Sequence, residues 1–182
     1  MPFLTTPIEG LIVFEPTVWR DERGYFYESY SLKTFMDSGI TTTFIQDNQA
    51  RSTYGVLRGL HYQAAPFAQA KLVRVLEGEV LDVVVDLRTH SNTYGHWYSI
   101  RLSAENQKQL FVPRGFAHGY VVLSEVATFF YKVDNYYSKA SEGGLIFNDP
   151  SMNIDWQIDA KDVILSEKDK VLPVLGNHKP LN

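Results

Sequence analysis

The residues best suited to chemistry in this chain are two histidines, a lysine and a tyrosine. His61 lies in the strand-like segment LRGLHYQ, and His118 follows a turn in VPRGFAHGY. A neutral imidazole has a reference pKa of about 6.5, which suits removal of a proton near neutral pH. Lys71 could stabilise an enolate, and Tyr131 could return a proton. The local sequence is equally compatible with a structural, buried His118 and with Tyr131 as an ordinary core tyrosine.

A metal site is a competing interpretation of the same histidines. It would need three or four converging nitrogen or oxygen ligands. His61 is followed two residues later by Gln63 rather than by a second histidine, and the next segment, AAPFAQAK, has no carboxylate. The sequence therefore predicts no bound metal.

Arginine and aromatic residues indicate a third kind of chemistry. Arg23 precedes Phe26 in RDERGYFYE, and Arg58 lies beside the first histidine. A guanidinium matches the oxygens of a phosphate, and an aromatic ring can stack on a base. These residues fit a nucleotide-linked substrate, although each arginine could equally form a surface ion pair.

The elements that must position these residues are mostly strands. Short apolar segments separated by Gly, Pro, Asn and Ser predict a sandwich or barrel. We expect one hairpin, from Leu72–Leu76 to Val80–Arg88 with its turn at Gly78. One helix is predicted in SLKTFMDSG, with Ser31 as its N-cap and Gly39 as its end. Further strands are expected at His96–Leu102, Gly119–Leu123 and Val126–Val133.

Composition limits the classes of protein that remain. The chain has 182 residues, 45% hydrophobic residues, a net charge of −4 and no cysteine. We expect one domain over residues 1–182, with no disulfides and no thiolate chemistry. The absence of a basic patch argues against nucleic acid as a partner, and no segment has the composition of a membrane helix or a secretory signal. A cytoplasmic location is the resulting expectation.

Taken together, the segments resemble the dTDP-4-dehydrorhamnose 3,5-epimerase family over almost the whole chain. The matching segments, in order, are RDERGYFYE, QDN, GVLRGLHYQ, QAKLVRVLEGEVLDVVVDLR, FVPRGFAHGY, YKVDNYY, NDPS and LSEKDKVLP. The resemblance implies an all-β cupin jelly roll with a few short helices, which uses no metal or cofactor and forms a homodimer. It also implies inversion of C3 and C5 of dTDP-4-dehydro-6-deoxy-D-glucose, giving dTDP-4-dehydro-L-rhamnose for dTDP-L-rhamnose synthesis.

The resemblance also implies a role for individual residues. His61 would be the base, Asp169 the carboxylate that orients it, Lys71 the enolate stabiliser and Tyr131 the acid. The nucleotide site would be shared across the dimer, with Arg23 and Phe26 acting on the partner's substrate. The implied substrate contacts are Arg23, Phe26, Glu28, Gln46, Asn48, Arg58, His118, Glu142 and Lys168.

Several alternatives stay open at this stage. A relative that inverts only C3 or C5, or a ketoisomerase, would have a similar catalytic set. A non-catalytic sugar-nucleotide binding module is a further alternative, but the joint presence of His61, Lys71 and Tyr131 argues against it, because a pure binder needs no acid–base pair. Asp82 competes with Asp169 as the partner of His61, because Ser166-x-x-Asp169 is also a capping pattern. Arg58 and His61 would point to opposite faces of a regular strand, so both can reach one pocket only if the strand is distorted. Gly59 is the residue that permits such a bulge.

Overall fold

The computed structural model describes residues 2–182, and strands dominate this part of the chain. It also contains one α-helix and three single-turn 3₁₀ helices. This arrangement confirms the expected all-β class. The strands are β1 (Phe3–Thr5), β2 (Ile12–Phe14), β3 (Trp19–Asp21), β4 (Gly24–Phe26), β5 (Gln46–Thr53), β6 (Leu57–Gln63), β7 (Lys71–Glu77), β8 (Glu79–Asp86), β9 (Trp97–Ser103), β10 (Gln109–Val112), β11 (Phe116–Val122), β12 (Val126–Val133) and β13 (Glu142–Gly144). The helices are α1 (Leu32–Asp37) and the 3₁₀ helices Lys139–Ser141, Ala160–Asp162 and Asp169–Val171.

Two antiparallel sheets form the body of the described chain. One has six strands in the order β1-β2-β10-β7-β12-β5, and the other has five in the order β13-β6-β11-β8-β9. Strands β3 and β4 form a separate small hairpin. Buried side chains of the two sheets pack against each other, for example Val73 and Phe129 from one with Val84 and Phe116 from the other. This packing creates the interior in which a site can lie.

The predicted hairpin around Gly78 is wrong, although a turn is present there. Strand β7 pairs with β10 and β12, whereas β8 pairs with β11 and β9, so the turn carries the chain from one sheet to the other. Gly78 has a φ of 75°, which glycine adopts easily. A turn signal between two apolar strands does not show whether they pair with each other, because the backbone hydrogen bonds between strands do not depend on the pattern of side chains.

Strand β8 has an almost continuously apolar sequence because both of its faces are buried. Leu81, Val83 and Val85 pack beneath the C-terminal loops, while Val80 and Val84 face the space between the sheets. Both faces are therefore buried, as in a strand that is covered on each side. Asp82 lies on the interior face with no exposed surface, which calls for charged or hydrogen-bonding partners inside the protein.

The helix prediction is confirmed. Ser31 caps α1 by accepting a hydrogen bond from the backbone N–H of Thr34, and Gly39, with a φ of 92°, follows its end. Phe35 is fully buried against Phe3 and Phe14, so the helix covers one end of the six-stranded sheet. No helix within residues 2–182 is both long and apolar enough to cross a membrane.

The distortion expected in β6 is present and confirms the role predicted for Gly59. His118 of β11 lies opposite His61, but Tyr120 lies opposite Arg58, so three steps along β6 match two along β11. Gly59 has a φ of 128°, and a Cβ atom there would lie 2.6 Å from the Cα of Gly119. Only glycine fits this close crossing, and the bulge turns Arg58 to the same side as His61.

Candidate active site

A cavity of about 450 Å³ opens between the two sheets and contains most of the chemically active side chains. The five-stranded sheet contributes residues of β6 and β11, and the six-stranded sheet contributes residues of β5, β7 and β12. The segment before the last 3₁₀ helix closes one side. The lining residues are Ala50, Val56, Leu57, Arg58, His61, Lys71, His118, Gly119, Tyr120, Phe129, Tyr131, Ile164, Leu165, Ser166, Lys168 and Asp169.

His61 and Asp169 form a hydrogen-bonded pair at this cavity. The distance from His61 Nε2 to Asp169 Oδ1 is 2.6 Å, across 108 residues of sequence. Burial opposes ionisation of Asp169, but the hydrogen bond from His61 outweighs it and leaves the pKa of Asp169 below its ordinary value. An ionised Asp169 accepts the Nε2 proton, so Nδ1 of His61 is left with a free lone pair.

Asp169 is itself held by its local structure. The backbone N–H of Asp169 donates to the Ser166 hydroxyl at 3.3 Å and to the Ser166 carbonyl oxygen at 3.0 Å. One of the two hydrogen bonds of the capping pattern is therefore formed, although the N-cap of this 3₁₀ helix is Lys168, and that bond coexists with the contact to His61. Only 4% of the Asp169 side chain is exposed, compared with 27% for His61, so the carboxylate lies behind the imidazole.

Lys71 enters the cavity from the six-stranded sheet and is partly buried. Burial lowers the pKa of Lys71 to about 8, while the negative charges of Asp82 and Glu142 oppose that effect. The ammonium group is therefore mostly charged at neutral pH and close to the point at which it loses its proton. Such a group can stabilise a developing oxyanion, and it does so strongly where water is excluded.

Tyr131 lies on β12, in the sheet opposite His61. Burial raises the pKa of Tyr131, and the nearby Arg58 guanidinium opposes that rise. The phenol therefore keeps its proton and can act as an acid. Arg58 donates from Nε to the Ser52 hydroxyl at 3.2 Å, which fixes its head group beside this part of the cavity.

A second histidine–carboxylate pair lies deeper in the same cavity. His118 Nε2 is 3.0 Å and 2.9 Å from the two oxygens of Asp82. Burial lowers the pKa of His118, and Asp82 opposes that shift. The two carboxylates that competed for His61 therefore have separate partners, with Asp169 on His61 and Asp82 on His118.

Other predicted contact residues lie at the rim. Lys168 lines the cavity and its Nζ is 2.6 Å from Glu142 Oε1. Glu142 also accepts a hydrogen bond from the Tyr137 hydroxyl at 3.2 Å. Gln46 donates to the Asn48 side chain at 2.9 Å on β5, and Asn48 lies opposite Tyr131 in the sheet, but neither amide lines the cavity.

Three predicted contact residues lie away from the cavity in this chain. Arg23 belongs to the β3–β4 hairpin and is paired with Asp21, and Phe26 at the end of β4 is 71% exposed. Glu28 accepts a hydrogen bond from the Thr34 hydroxyl near α1. The single chain does not bring these residues to His61.

The sequence did not predict every residue that shapes the site. Tyr120 and Phe129 stack in the cavity wall with ring centroids 4.0 Å apart, and only their apolar strand pattern indicated an inward direction. Gln63, which stands where a metal site would need a second histidine, donates to the carbonyl oxygens of Phe67 and Tyr136 and accepts from the N–H of Ser138. It therefore holds two loops together.

Within residues 2–182, no group of three or more His, Cys, Asp or Glu side chains converges on one point. The two imidazoles of the cavity are instead arranged as the two separate pairs with Asp169 and Asp82.

The fold and site define a class: a cupin-like barrel of two antiparallel sheets with an acid–base set in its interior. The model of the dTDP-4-dehydrorhamnose 3,5-epimerase family matches residues 5–177. The chain therefore belongs to that family, and the resemblance seen in the sequence is confirmed.

Individual relatives agree over nearly the full length. The dTDP-4-dehydrorhamnose 3,5-epimerase of Shigella flexneri is 51% identical over 93% of each chain. The crystal structure of the enzyme of that name from Elizabethkingia anophelis is 56% identical, covers 95% of each chain and has a TM-score of 0.92. A dTDP-6-deoxy-D-glucose-3,5-epimerase from Legionella pneumophila, in complex with dTDP-4-keto-L-rhamnose, is 48% identical with a TM-score of 0.91, covering 95% of this chain and 92% of the other.

Proposed function

We propose that this protein inverts C3 and C5 of dTDP-4-dehydro-6-deoxy-D-glucose and releases dTDP-4-dehydro-L-rhamnose. The observation that carries the proposal is the placement of the His61–Asp169 pair and of Tyr131 on opposite sides of one cavity, which Lys71 also lines. The names of the close relatives and the dTDP-sugar in the Legionella pneumophila complex support the same substrate.

The first step of the proposed reaction is removal of a proton from carbon. The 4-keto group of the substrate acidifies the C–H bonds at C3 and C5, because the resulting carbanion is delocalised as an enolate. His61 accepts the proton at Nδ1, while Asp169 accepts the hydrogen bond from Nε2 and stabilises the imidazolium that forms. Asp169 stays ionised throughout, as the lowered pKa of its carboxyl group requires.

The enolate oxygen then needs a positive charge close by. Lys71 supplies it from a partly buried position in the cavity wall, where a charge interaction is stronger than in water. A lysine with a pKa of about 8 is charged enough to do this at neutral pH.

Inversion requires that the proton return from the other face of the sugar ring. Tyr131 stands on the sheet opposite His61 and keeps its proton because burial raises the pKa of its phenol. Removal of the proton by His61 and delivery of another by Tyr131 from the opposite side convert deprotonation into inversion. His61 then releases its proton to solvent and Tyr131 takes one up, and the same steps at the second carbon complete the double epimerisation.

Binding of the nucleotide part completes the proposal. Arg58, His118 and Lys168 line the cavity, and the two cations are suited to the diphosphate. Glu142, Gln46 and Asn48 lie outside the lining, and we propose that they contact the substrate where it extends beyond the cavity. Arg23, Phe26 and Glu28 lie outside this cavity, so we propose that the protein is a homodimer in which the β3–β4 hairpin reaches the partner's site. The exposed surfaces of Trp19 and Phe26 support a hairpin that is covered in the dimer.

Two further parts of the proposal concern the whole chain. We propose that residues 1–182 fold as one domain, which is supported by the buried clusters that join both sheets and the C-terminal loops. We also propose that the enzyme acts in the cytoplasm, where nucleotide-linked sugars are made; cell fractionation checks this location.

The experiment that tests the function follows deuterium from solvent. The protein is incubated with dTDP-4-keto-6-deoxyglucose in D₂O, without added metal, and NMR measures deuterium at C3 and C5. We expect incorporation at both carbons together with formation of the L-configured product. Incorporation at one carbon only would identify a single-site epimerase, and a protein that binds the nucleotide but exchanges neither carbon would be a binding module. A product with its keto group at another carbon would identify a ketoisomerase.

A further inference from the structure

Asp82 is a fully buried carboxylate whose role the proposed reaction steps leave open. It lies in the middle of β8, on the face that also carries Val80 and Val84, and it has no exposed surface. A buried carboxylate is unfavourable unless hydrogen bonds and opposite charges surround it. Asp82 therefore has to be understood through the groups it touches inside the barrel.

The neighbour Asp86 shows what a purely structural carboxylate on this strand looks like. Asp86 lies four residues further along the same face and is equally buried, but its partners are Arg88, Ser91 and Thr93. These residues lie in the loop after β8, and none of them lines the cavity. Asp82, by contrast, is surrounded by groups that do line the cavity.

The first of these groups is His118. Its Nε2 lies within 3.0 Å of both Asp82 oxygens, so Nε2–H is donated to the carboxylate. This contact fixes the tautomer and the ring orientation of His118, and it leaves Nδ1 as the nitrogen that is free to meet a ligand. His118 lies directly opposite His61 in the sheet, so its ring is held beside the proposed base.

The second group is Lys71, which needs a nearby negative charge to remain protonated. Burial alone would favour its neutral form, and Asp82 is the strongest charge that opposes burial, followed by Glu142. Glu142 is shared with Lys168 at the rim, and Asp169 is bound to His61. The other titratable or charged side chains around this cavity are Arg58, His61, His118, Tyr120, Tyr131, Lys168 and Asp169.

We propose that Asp82 is a positioning residue for the epimerase reaction: it holds Lys71 in its charged form and aims Nδ1 of His118 into the cavity. Asp82 itself does not touch the substrate. The effect on the reaction rests on the proposed function, but the tautomer of His118 and the protonation of Lys71 can both be measured without substrate. The first concerns His118, whose Nε2 lies within 3.0 Å of both Asp82 oxygens. The second concerns the buried negative charge that Asp82 adds behind the cavity that Lys71 and His118 line.

The first measurement uses Asp82→Asn, which keeps the size of the side chain and removes its charge. Lysine side chains labelled with ¹³C at Cε report the titration of Lys71 by NMR, and Lys71→Met assigns its signal. We expect the midpoint to move to lower pH. If Lys71 binds its proton tenfold more weakly, its charged fraction at pH 8 falls from about a half to about a tenth. An unchanged midpoint in a folded variant would overturn the proposal.

The second measurement links this titration to the reaction. The loss of C3 deuterium exchange in Asp82→Asn, relative to the wild type, should be about fivefold larger at pH 8 than at pH 6. The decline of kcat on the alkaline side should therefore begin at a lower pH in the variant. A uniform loss at every pH would indicate a structural defect and would contradict the positioning role. If the wild-type protein exchanges nothing with this substrate, the proposed function fails, while the Lys71 titration still tests the inference.

A third measurement needs no variant and covers the case in which Asp82→Asn does not fold. Long-range ¹H–¹⁵N spectra of the wild-type protein give the tautomer of His118. We expect a proton on Nε2 and a lone pair on Nδ1 at neutral pH. A proton on Nδ1 alone would mean that Asp82 does not hold this ring, and the proposal would be wrong.

Discussion

Replacing Asp169 by asparagine tests the central pair of the site most directly. The change keeps the shape of the side chain and removes the negative charge that accepts the proton of His61 Nε2 at 2.6 Å. An asparagine amide can present its oxygen to the imidazole, but it cannot stabilise the imidazolium that forms when His61 takes a proton. It can also turn its NH₂ group toward His61 and favour the wrong tautomer.

The expected size of the effect follows from this one interaction. A hydrogen bond to a charged group contributes about 1.5–3 kcal/mol, and about 1.4 kcal/mol corresponds to a factor of ten. The bond strengthens as His61 becomes charged, so its loss should appear in the transition state. We therefore expect kcat for C3 exchange to fall about 10- to 150-fold, with KM changed less than about threefold.

The assay is the same deuterium exchange, measured at saturating and at limiting substrate. Glu167→Gln is the matched control, because Glu167 lies two residues before Asp169, its side chain is 90% exposed and it pairs only with Lys170. The control should behave like the wild type. Since Asp169 acts through His61, His61→Asn and the double variant should lose about equal activity. An Asp169→Asn enzyme within twofold of the wild type, or losses that simply add, would refute the reasoning.

Tyr131→Phe should keep C3 exchange within about tenfold while product formation falls at least about 100-fold, as read by NMR; equal losses of both would contradict a donor role. The wild-type kcat should decline above a pH of about 8, because Lys71 has a pKa of about 8 and is charged only below it, and a flat alkaline profile would exclude this role. Gly59→Ala should lower the free energy of unfolding, measured by urea denaturation, by about 3 kcal/mol, because the new Cβ would lie 2.6 Å from the Cα of Gly119 on the adjacent strand. Gly176→Ala is the control: it also has a positive φ but open space around it, and it should lower the free energy of unfolding by only about 1 kcal/mol. Asp86 has a folded-state pKa of about 2, because its hydrogen bonds outweigh the effect of burial. Its ionised carboxylate therefore adds about 2 kcal/mol to the free energy of unfolding above a pH of about 4, and this stabilisation is lost as the pH falls toward 2. The free energy of unfolding of Asp86→Asn should lack this dependence on pH between about 4 and 2.

Local structure was largely predictable, because it depends on neighbours in sequence. The strand segments and the Ser31 cap follow from side-chain period and capping chemistry. The bulge at Gly59 could be inferred because Arg58 and His61 have an odd separation and a glycine lies between them. These are constraints that act within a few residues.

Partnership between distant residues was not predictable in the same way. The turn at Gly78 was visible, but not that β7 and β8 enter different sheets, because strand pairing depends on backbone hydrogen bonds rather than on the apolar pattern. The apolar sequence of β8 also did not show that the face carrying Asp82 is the barrel interior. The cost of burying Asp82 is met by groups from other strands, which only the assembled sheets bring together.

The sequence by itself determined the family, the all-β class and which side chains are chemically able to transfer a proton, because these properties belong to residue types and their order. The tertiary structure alone decided which carboxylate meets which histidine. Asp169 reaches His61 across 108 residues, and Asp82 reaches His118 from the adjacent strand. The reason is that closing two sheets around one cavity sets burial, charge and hydrogen-bond geometry together, and these quantities determine the protonation of Lys71 and the free nitrogen of each imidazole.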